Sequence, residues 1–327
     1  MKKLIAMVLA LMMLLSLTAC GGEQAADKIT IVLDWTPNTN HTGIYVALAN
    51  GYFEEAGLNV EVVQPPEDGA VALVASGRAQ FGVSFQDYLA PAYVGEDKMP
   101  VTAVAAVIQH NTSGIVSRAG EGMDHPAGLE GKKYATWDLD VEKATIRDVM
   151  TADGGDFDKV ELIPSTVTDE VSALQSGSVD AIWIFYGWAG VACEVAGLEI
   201  DYFDFADIDP VFDYYSPVII GNDAWLEENP EQARAFVAAL SKGYSYCVGH
   251  PHEAADILME AAPELKSNPE LVYASQEYLE AEYIADAERW GEFDGGRWAA
   301  FFQWLNDNEL MEGRLDPDFG FTNEYLP

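Results

Sequence analysis

An α/β fold arranged in two lobes is the expectation from this sequence, and three features lead to it. Segments with strand and helix character alternate from the N-terminal part of the chain onward, which is the pattern of a mainly parallel sheet wound with helices. Ten residues echo one another a hundred positions apart: Ser76-Gly77-Arg78-Ala79-Gln80-Phe81-Gly82-Val83-Ser84-Phe85 and Ser176-Gly177-Ser178-Val179-Asp180-Ala181-Ile182-Trp183-Ile184-Phe185. In each, a helix closed by glycine leads into a buried strand that ends at an aromatic. Finally, 327 residues exceed what one hydrophobic core usually serves.

In chain order, Lys28 to Leu33 reads as a strand, rich in Ile and Val and followed by turn-forming residues. His41 to Asn50 reads as a helix ended by Gly51, Tyr52 to Ala56 as a short turn, and Leu58 to Val63 as a second strand. Ala70 to Ser76 is helical with Gly77 at its C-terminal cap, and Gln80 to Phe85 is a third strand. Tyr134 to Trp137, Val141 to Ala152 and Val160 to Ile163 supply a strand, a helix and a strand of the second, echoing unit. After Tyr215-Ser216-Pro217-Val218-Ile219-Ile220 the pattern turns helical. Pro230 to Gly249 is a long amphipathic stretch with Glu231 near its start and Lys242 near its end, each suited to the helix dipole. His252 to Ala262, Pro269 to Glu280 and Gly295 to Asn306 follow as further helices. The expected division is residues 28–110 and 216–327 in the first lobe and 111–215 in the second. Gln109–Ser113 and Phe212–Pro217 then serve as the hinge.

The first residues set the expected location. Lys2 and Lys3 precede an apolar run from Ile5 to Leu17, broken only at Ser16. That run is shorter than the roughly 20 residues needed to span a bilayer, and it fits a secretory leader over residues 1–19. Leu17-Thr18-Ala19-Cys20-Gly21 resembles a bacterial lipobox, which implies cleavage before Cys20 and lipid on its sulfur. Residues 20–27 then form a lipidated tether on the outer face of the cell membrane. The other cysteines, Cys193 and Cys247, sit in apolar, helix-like surroundings. An exported chain can pair them, but buried free thiols fit those surroundings better. With a net charge of −37, nucleic acid is excluded as a partner, since binding it needs basic surface. The acidic excess reads as a solvated surface. His250-Pro251-His252-Glu253 reads as a loop rather than a metal site. No metal or cofactor is expected, and neither a nucleophile elbow nor a zinc-protease helix is present.

The most informative segment is Asp34-Trp35-Thr36-Pro37-Asn38-Thr39-Asn40-His41-Thr42-Gly43. It lies between the end of a strand and the start of a helix, where open α/β sheets bind ligands. Trp35 offers a flat face for stacking. Asn38, Asn40 and Thr42 offer directional hydrogen bonds, and Asn40 equally suits a helix cap. Phe85 and Gln86 end one echoed strand and Phe185 and Tyr186 the other, so these pairs either face each other across a cleft or belong to the cores. Trp137 near a strand end and Tyr215 near the hinge are further candidates.

The same ten residues, followed by Gly51-Tyr52-Phe53 and Gly57-Leu58, closely resemble the periplasmic binding proteins for thiamine pyrimidine precursors. These belong to the NMT1/THI5-like superfamily, with the yeast pyrimidine synthase and sulfonate- and nitrate-binding relatives. The resemblance runs from about Ile29 to the last helices. It implies a type II periplasmic binding protein fold, each lobe a mainly parallel sheet with flanking helices, closing on a pyrimidine between aromatic side chains. By position, Trp35, Asn38 and His41 line the first lobe's side, and the run from Trp183 to Trp188 supplies the second. Relatives often carry a Trp-Asn-His-Glu-like run where this chain has Phe185-Tyr186-Gly187-Trp188-Ala189-Gly190. The carboxylate expected to bond an aminopyrimidine is therefore not evident there, and Glu194 is a substitute one turn on. The synthase branch also carries a dense cysteine motif that this chain lacks. The resemblance thus implies a monomeric, non-enzymatic solute-binding lipoprotein that delivers a thiamine-precursor aminopyrimidine to an ABC permease and its ATPase. A flavin-like heterocycle or an alkylsulfonate is the alternative ligand, and a pyrimidine-forming enzyme the alternative class.

Overall fold

The computed structural model of the chain describes residues 28–67, 69–95, 98–165 and 167–327. The expected leader, Cys20 and the tether lie outside the described residues. Among the described residues the strands are β1 (Lys28–Val32), β2 (Asn59–Val63), β3 (Phe81–Ser84), β4 (Val101–Ala106) and β5 (Ser113–Arg118). They continue as β6 (Lys133–Thr136), β7 (Glu161–Pro164), β8 (Ala181–Phe185), β9 (Ile200–Asp204) and β10 (Val218–Asn222).

They form two five-stranded sheets of matching plan, ordered β2-β1-β3-β10-β4 and β7-β6-β8-β5-β9. In each sheet the first three strands pair in parallel, and an antiparallel strand separates them from the far edge strand. Four of five strands in each sheet therefore run the same way. The antiparallel strand is the one that follows a crossing of the chain: β5 follows residues 107–112, and β10 follows residues 205–217. The echoed segments become β3 and β8, central in their own sheets.

Alternation along β1 feeds two cores, because successive strand side chains point to opposite faces. Ile29, Ile31 and Leu33 join Phe236, Val237 and Leu240 of the helix Pro230–Cys247 on one face. Val32 joins Val74 and the Trp298, Phe301, Phe302 and Leu305 stripe of the helix Gly295–Asp307 on the other. The helix Thr42–Ala49 lies so close to Pro230–Cys247 that a Cβ on Gly43 would fall 2.3 Å from Cγ of Tyr244. Only glycine fits that contact. The second sheet has its own two cores, with Ile115 and Trp183 on one face and Val116, Ile182 and Ile184 on the other.

The two crossings are held side by side. The Asn111 N–H donates to Asp213 Oδ1 at 2.9 Å, and Asn111 Nδ2 donates to the Phe212 carbonyl at 2.9 Å. Asp213 Oδ2 also meets His110 Nδ1 at 2.8 Å and Arg297 Nη1 at 3.1 Å, and the same guanidinium donates to the Gln109 carbonyl. Cys193 and Cys247 are buried free thiols in different cores, as their apolar neighbours led one to expect. Among the described residues, no helix is long and apolar enough to cross a membrane.

Candidate functional site

The C-terminal ends of β1, β3, β6 and β8 carry the residues that converge. Phe85 directly follows β3 and Phe185 ends β8, and their rings stack across the two sheets with centroids 5.9 Å apart and planes 14° from parallel. The internal echo thus produces a face-to-face pair, one aromatic from each lobe. Tyr88 tilts against Phe85 at 5.5 Å. On the second sheet Trp137, just past β6, packs 5.9 Å from Trp183.

Exposure singles out the same place. Among the described residues the exposed large hydrophobics are Trp35, Tyr88, Met99, Trp137 and Leu139. Trp35 follows the end of β1, and Trp137 and Leu139 follow the end of β6; Tyr88 and Met99 line a cavity of about 410 Å³ together with Asp34, Ser84, Phe85 and Pro91. That size and apolar character suit a small organic ligand.

The segment after β1 folds around one histidine. The Asn38 side chain accepts from the Asn40 N–H at 3.0 Å and so caps the turn Thr39–His41. His41 is fully buried; its Nδ1 accepts the Asn38 N–H at 3.1 Å, which leaves the proton on Nε2 to donate to Asp34 Oδ1 at 2.7 Å. Asp34 is thereby held at the cavity wall. Tyr283 donates to the Thr39 carbonyl at 2.7 Å, and Thr39 meets Ser275, which bonds the Gly187 carbonyl of the other sheet's unit. The loop after β6 is built similarly. Buried Glu142 accepts from Tyr134, Thr136 and the Trp137 and Leu139 N–H groups, fixing the loop that presents Trp137. Desolvation, followed by the charges of Asp87, Asp34 and Glu142, holds the Tyr88 phenol above its ordinary pKa.

Of the residues expected to face a ligand, Phe85 lines the cavity and stacks on Phe185, Trp137 packs on Trp183, and Trp35 is exposed just past β1. The others are directed elsewhere, for identifiable reasons. Asn38 and His41 have their polar atoms engaged within their own turn. Gln86 is fully buried, its amide donating to the Trp298 carbonyl and accepting the Tyr215 N–H. Tyr215 is a core residue whose hydroxyl accepts the Asp294 N–H. Tyr186 packs between Tyr202 and Tyr278 and donates to Glu194 at 2.5 Å, which also occupies the substitute carboxylate. Trp188 packs on Ala255, Leu258, Met259 and Val272. Sequence reasoning passed over Asp34 and Tyr88, although Asp34 opens the informative segment. The signal was its position: the first polar residue past β1, seven before a histidine that a tight turn folds back. Among the described residues no group of His, Cys, Asp and Glu is placed to hold a metal; His252 instead pairs with Glu277 at 2.6 Å.

Comparison with known proteins adds four findings. The model of a family described as NMT1/THI5 like matches residues 38–254. The chain is 31% identical to a formylaminopyrimidine-binding protein of Halalkalibacterium halodurans over 98% of both chains. It is 24% identical to a 4-amino-5-hydroxymethyl-2-methylpyrimidine phosphate synthase, THI5, of Saccharomyces cerevisiae, covering 92% of this chain and 88% of that one. Among solved structures, the periplasmic aliphatic sulphonate binding protein SsuA of Escherichia coli superposes with a TM-score of 0.69 at 14% identity, over 89% of this chain and 95% of that one. At that identity the likeness speaks to the fold, a two-sheet periplasmic binding protein architecture.

Proposed function

The chain belongs to the NMT1/THI5-like family, and from that membership we propose that it is the solute-binding component of an ABC importer for a thiamine-precursor aminopyrimidine. The observation that carries the proposal is the Phe85–Phe185 stack beside the anchored Asp34 carboxylate. A flat heteroaromatic ring presents two faces to aromatics and an exocyclic amine to a carboxylate. The site offers both, and aromatic contacts of this kind contribute about 0.5–1.5 kcal/mol each beyond area burial. Trp35 and Trp137 extend the apolar walls, while His41 and Glu142 act through the groups they hold in place. An anionic ligand is less well matched. Arg297, the cation nearest the crossings, is already engaged by Asp213 and the Gln109 carbonyl, and the cavity wall carries Asp34.

Capture proceeds by closure of two lobes, 28–110 with 216–327 against 111–215, about the paired crossings. A ring interposed between Phe85 and Phe185 needs two contacts of about 3.5–4 Å, roughly 7–8 Å in all. The observed 5.9 Å is less than that, so the lobes part to admit the ligand and close on it. Only a difference in ligand affinity between open and closed forms drives such a change. The leader and lipobox support an exported chain tethered through Cys20 to the outer face of the membrane, where it meets its permease as a monomer.

A thermal-shift panel of aminopyrimidines, thiamine, flavins and alkylsulfonates tests the reading. A ligand at about 100 times its dissociation constant stabilises the fold by about 2.7 kcal/mol. A shift with hydroxymethyl- or formylaminomethyl-pyrimidine, lost in Trp35→Ala, is the expected result. A shift with sulfonates or flavins alone would overturn the ligand assignment.

A further inference from the structure

The two crossings meet at one imidazole. His110, on the first crossing, places Nδ1 2.8 Å from Asp213 Oδ2 on the second. Its Nε2 lies 3.0 Å from Asp286 Oδ1, just beyond the helix Pro269–Glu282. Each ring nitrogen therefore faces a carboxylate oxygen. A neutral imidazole has one N–H and donates to only one of them, leaving a lone pair against the other; the imidazolium has two and satisfies both. The arrangement is that of a protonated histidine.

Arg297 does not supply the missing hydrogen. Its Nη1 lies 3.2 Å from His110 Nδ1, but its two hydrogens go to the Gln109 carbonyl and to Asp213 Oδ2, 3.1 Å away. The guanidinium is also held over the Tyr215 ring, 4.6 Å from the centroid. The remaining charged neighbour is acidic. Glu282 ends the helix, its carbonyl accepts the Gln109 N–H at 2.9 Å, and its carboxyl feels the His110 charge. Asp213, Asp286 and Glu282 thus surround His110 against one guanidinium, and its pKa is raised, first by the bond to Asp213 and against some desolvation.

In the division proposed above, His110, Asp286 and Arg297 belong to the first lobe and Asp213 to the second. The Phe85–Phe185 stack marks the described arrangement as a closed one. A ligand ring widens that pair by only about 1–2 Å, and the displacement shrinks toward the crossings, so these contacts persist around a bound ligand.

We infer that His110 is a proton-operated latch on the hinge: as an imidazolium it ties Asp213 to Asp286 and favours the closed, ligand-holding form, and on losing its proton it releases one carboxylate and eases opening. The inference rests on the two-lobed clamp reading and adds control of ligand retention by pH. A histidine whose pKa rises on forming such contacts stabilises them fully below its ordinary value of 6.5, and the contribution is lost as pH rises through the elevated value. Because the His110 side chain is 37% exposed, solvent screens the latch and its effect is modest.

Calorimetric titration with 4-amino-5-hydroxymethyl-2-methylpyrimidine at about pH 6 and about pH 8.5, below and above the expected transition, tests the latch. Relative to His110→Gln, wild type should bind about threefold to tenfold more tightly at the lower pH, with the gap closing at the higher. Asp286→Asn, which keeps the Asp213 contact, should show a smaller loss of the same sign, and it decides should His110→Gln not fold. Titration of the probe and of Asp87 and Asp204 is common to all three proteins and cancels. Small-angle X-ray scattering of the ligand-free proteins should find wild type more compact at the lower pH and His110→Gln unchanged. A wild-type-to-variant affinity ratio that is the same at both pH values overturns the inference. If the probe binds at neither pH, the pyrimidine reading fails, and scattering alone decides the latch: no change of wild-type compactness with pH overturns it.

Discussion

Replacing Asp87 by asparagine should stabilise the protein at neutral pH, an unusual direction for a substitution at a partly buried residue. Burial pushes the Asp87 carboxyl from its ordinary 3.8 up to about 6, against backbone hydrogen bonds that pull it down, and one of its oxygens has no partner. For a carboxyl raised on folding, the native state holds a proton that the unfolded chain has already released between those two values. Stability therefore falls as pH rises from about 4 to about 6, and the penalty is fully present above that window. The gap corresponds to a ceiling of about 3 kcal/mol, at 1.36 kcal/mol for each tenfold change in proton affinity. Asp87→Asn removes the charge, so urea denaturation followed by tryptophan fluorescence should find the variant about 1–3 kcal/mol more stable at about pH 7.5. The difference should fade toward pH 4. Asp204 is raised to about 6, first by burial, and His110 is raised first by its bond to Asp213. Both also favour acid, but both remain in the variant and cancel in the comparison. A wild type at least as stable as Asp87→Asn at pH 7.5, or a difference that does not change with pH, would refute the reasoning.

Three further outcomes are expected. His41→Ala removes the acceptor of the Asn38 N–H, the anchor of Asp34 and a fully buried ring. Denaturation should show a loss of about 2–4 kcal/mol, and calorimetry should show weaker pyrimidine binding. Gly43→Ala places a methyl against the Tyr244 ring and should cost about 1–3 kcal/mol by overpacking, read as a lowered unfolding midpoint. Cys193 and Cys247 are buried in separate cores, and burial pushes the Cys193 thiol up to about 11. Both should resist Ellman's reagent in the native protein and react fully in denaturant.

Much of this architecture was legible because its determinants are local. The Gly77 and Gly177 stops, the buried runs after them and the aromatics at Phe85 and Phe185 announced two equivalent strands, and both became central. The strands β4, β5 and β9 were less visible. β4 is small-residue rich and β5 ends at Arg118, so neither shows clean alternation bounded by turns. Their place depends on chain crossings that no local window reports. The site divided along the same line. The exposure of Trp35 and Trp137 follows from their position past a strand end. Whether His41, Gln86 or Tyr215 faces a ligand depends instead on which polar groups they meet, and the Asp34 carboxylate, the Trp298 carbonyl and the Asp294 N–H claim them. Tyr186 and Trp188 were drawn away by a π-helical turn at Tyr186–Gly190, which re-aims the end of the echo without a sequence mark.

The central claim is that one aromatic from each lobe closes on the ligand ring. Calorimetric titration of Phe85→Ala and Phe185→Ala with 4-amino-5-hydroxymethyl-2-methylpyrimidine, beside wild type, tests it most directly. The account predicts one site per chain, and an affinity loss of about tenfold or more in each variant. Unchanged affinity in Phe185→Ala would mean that the first lobe holds the ligand alone, and would contradict the clamp.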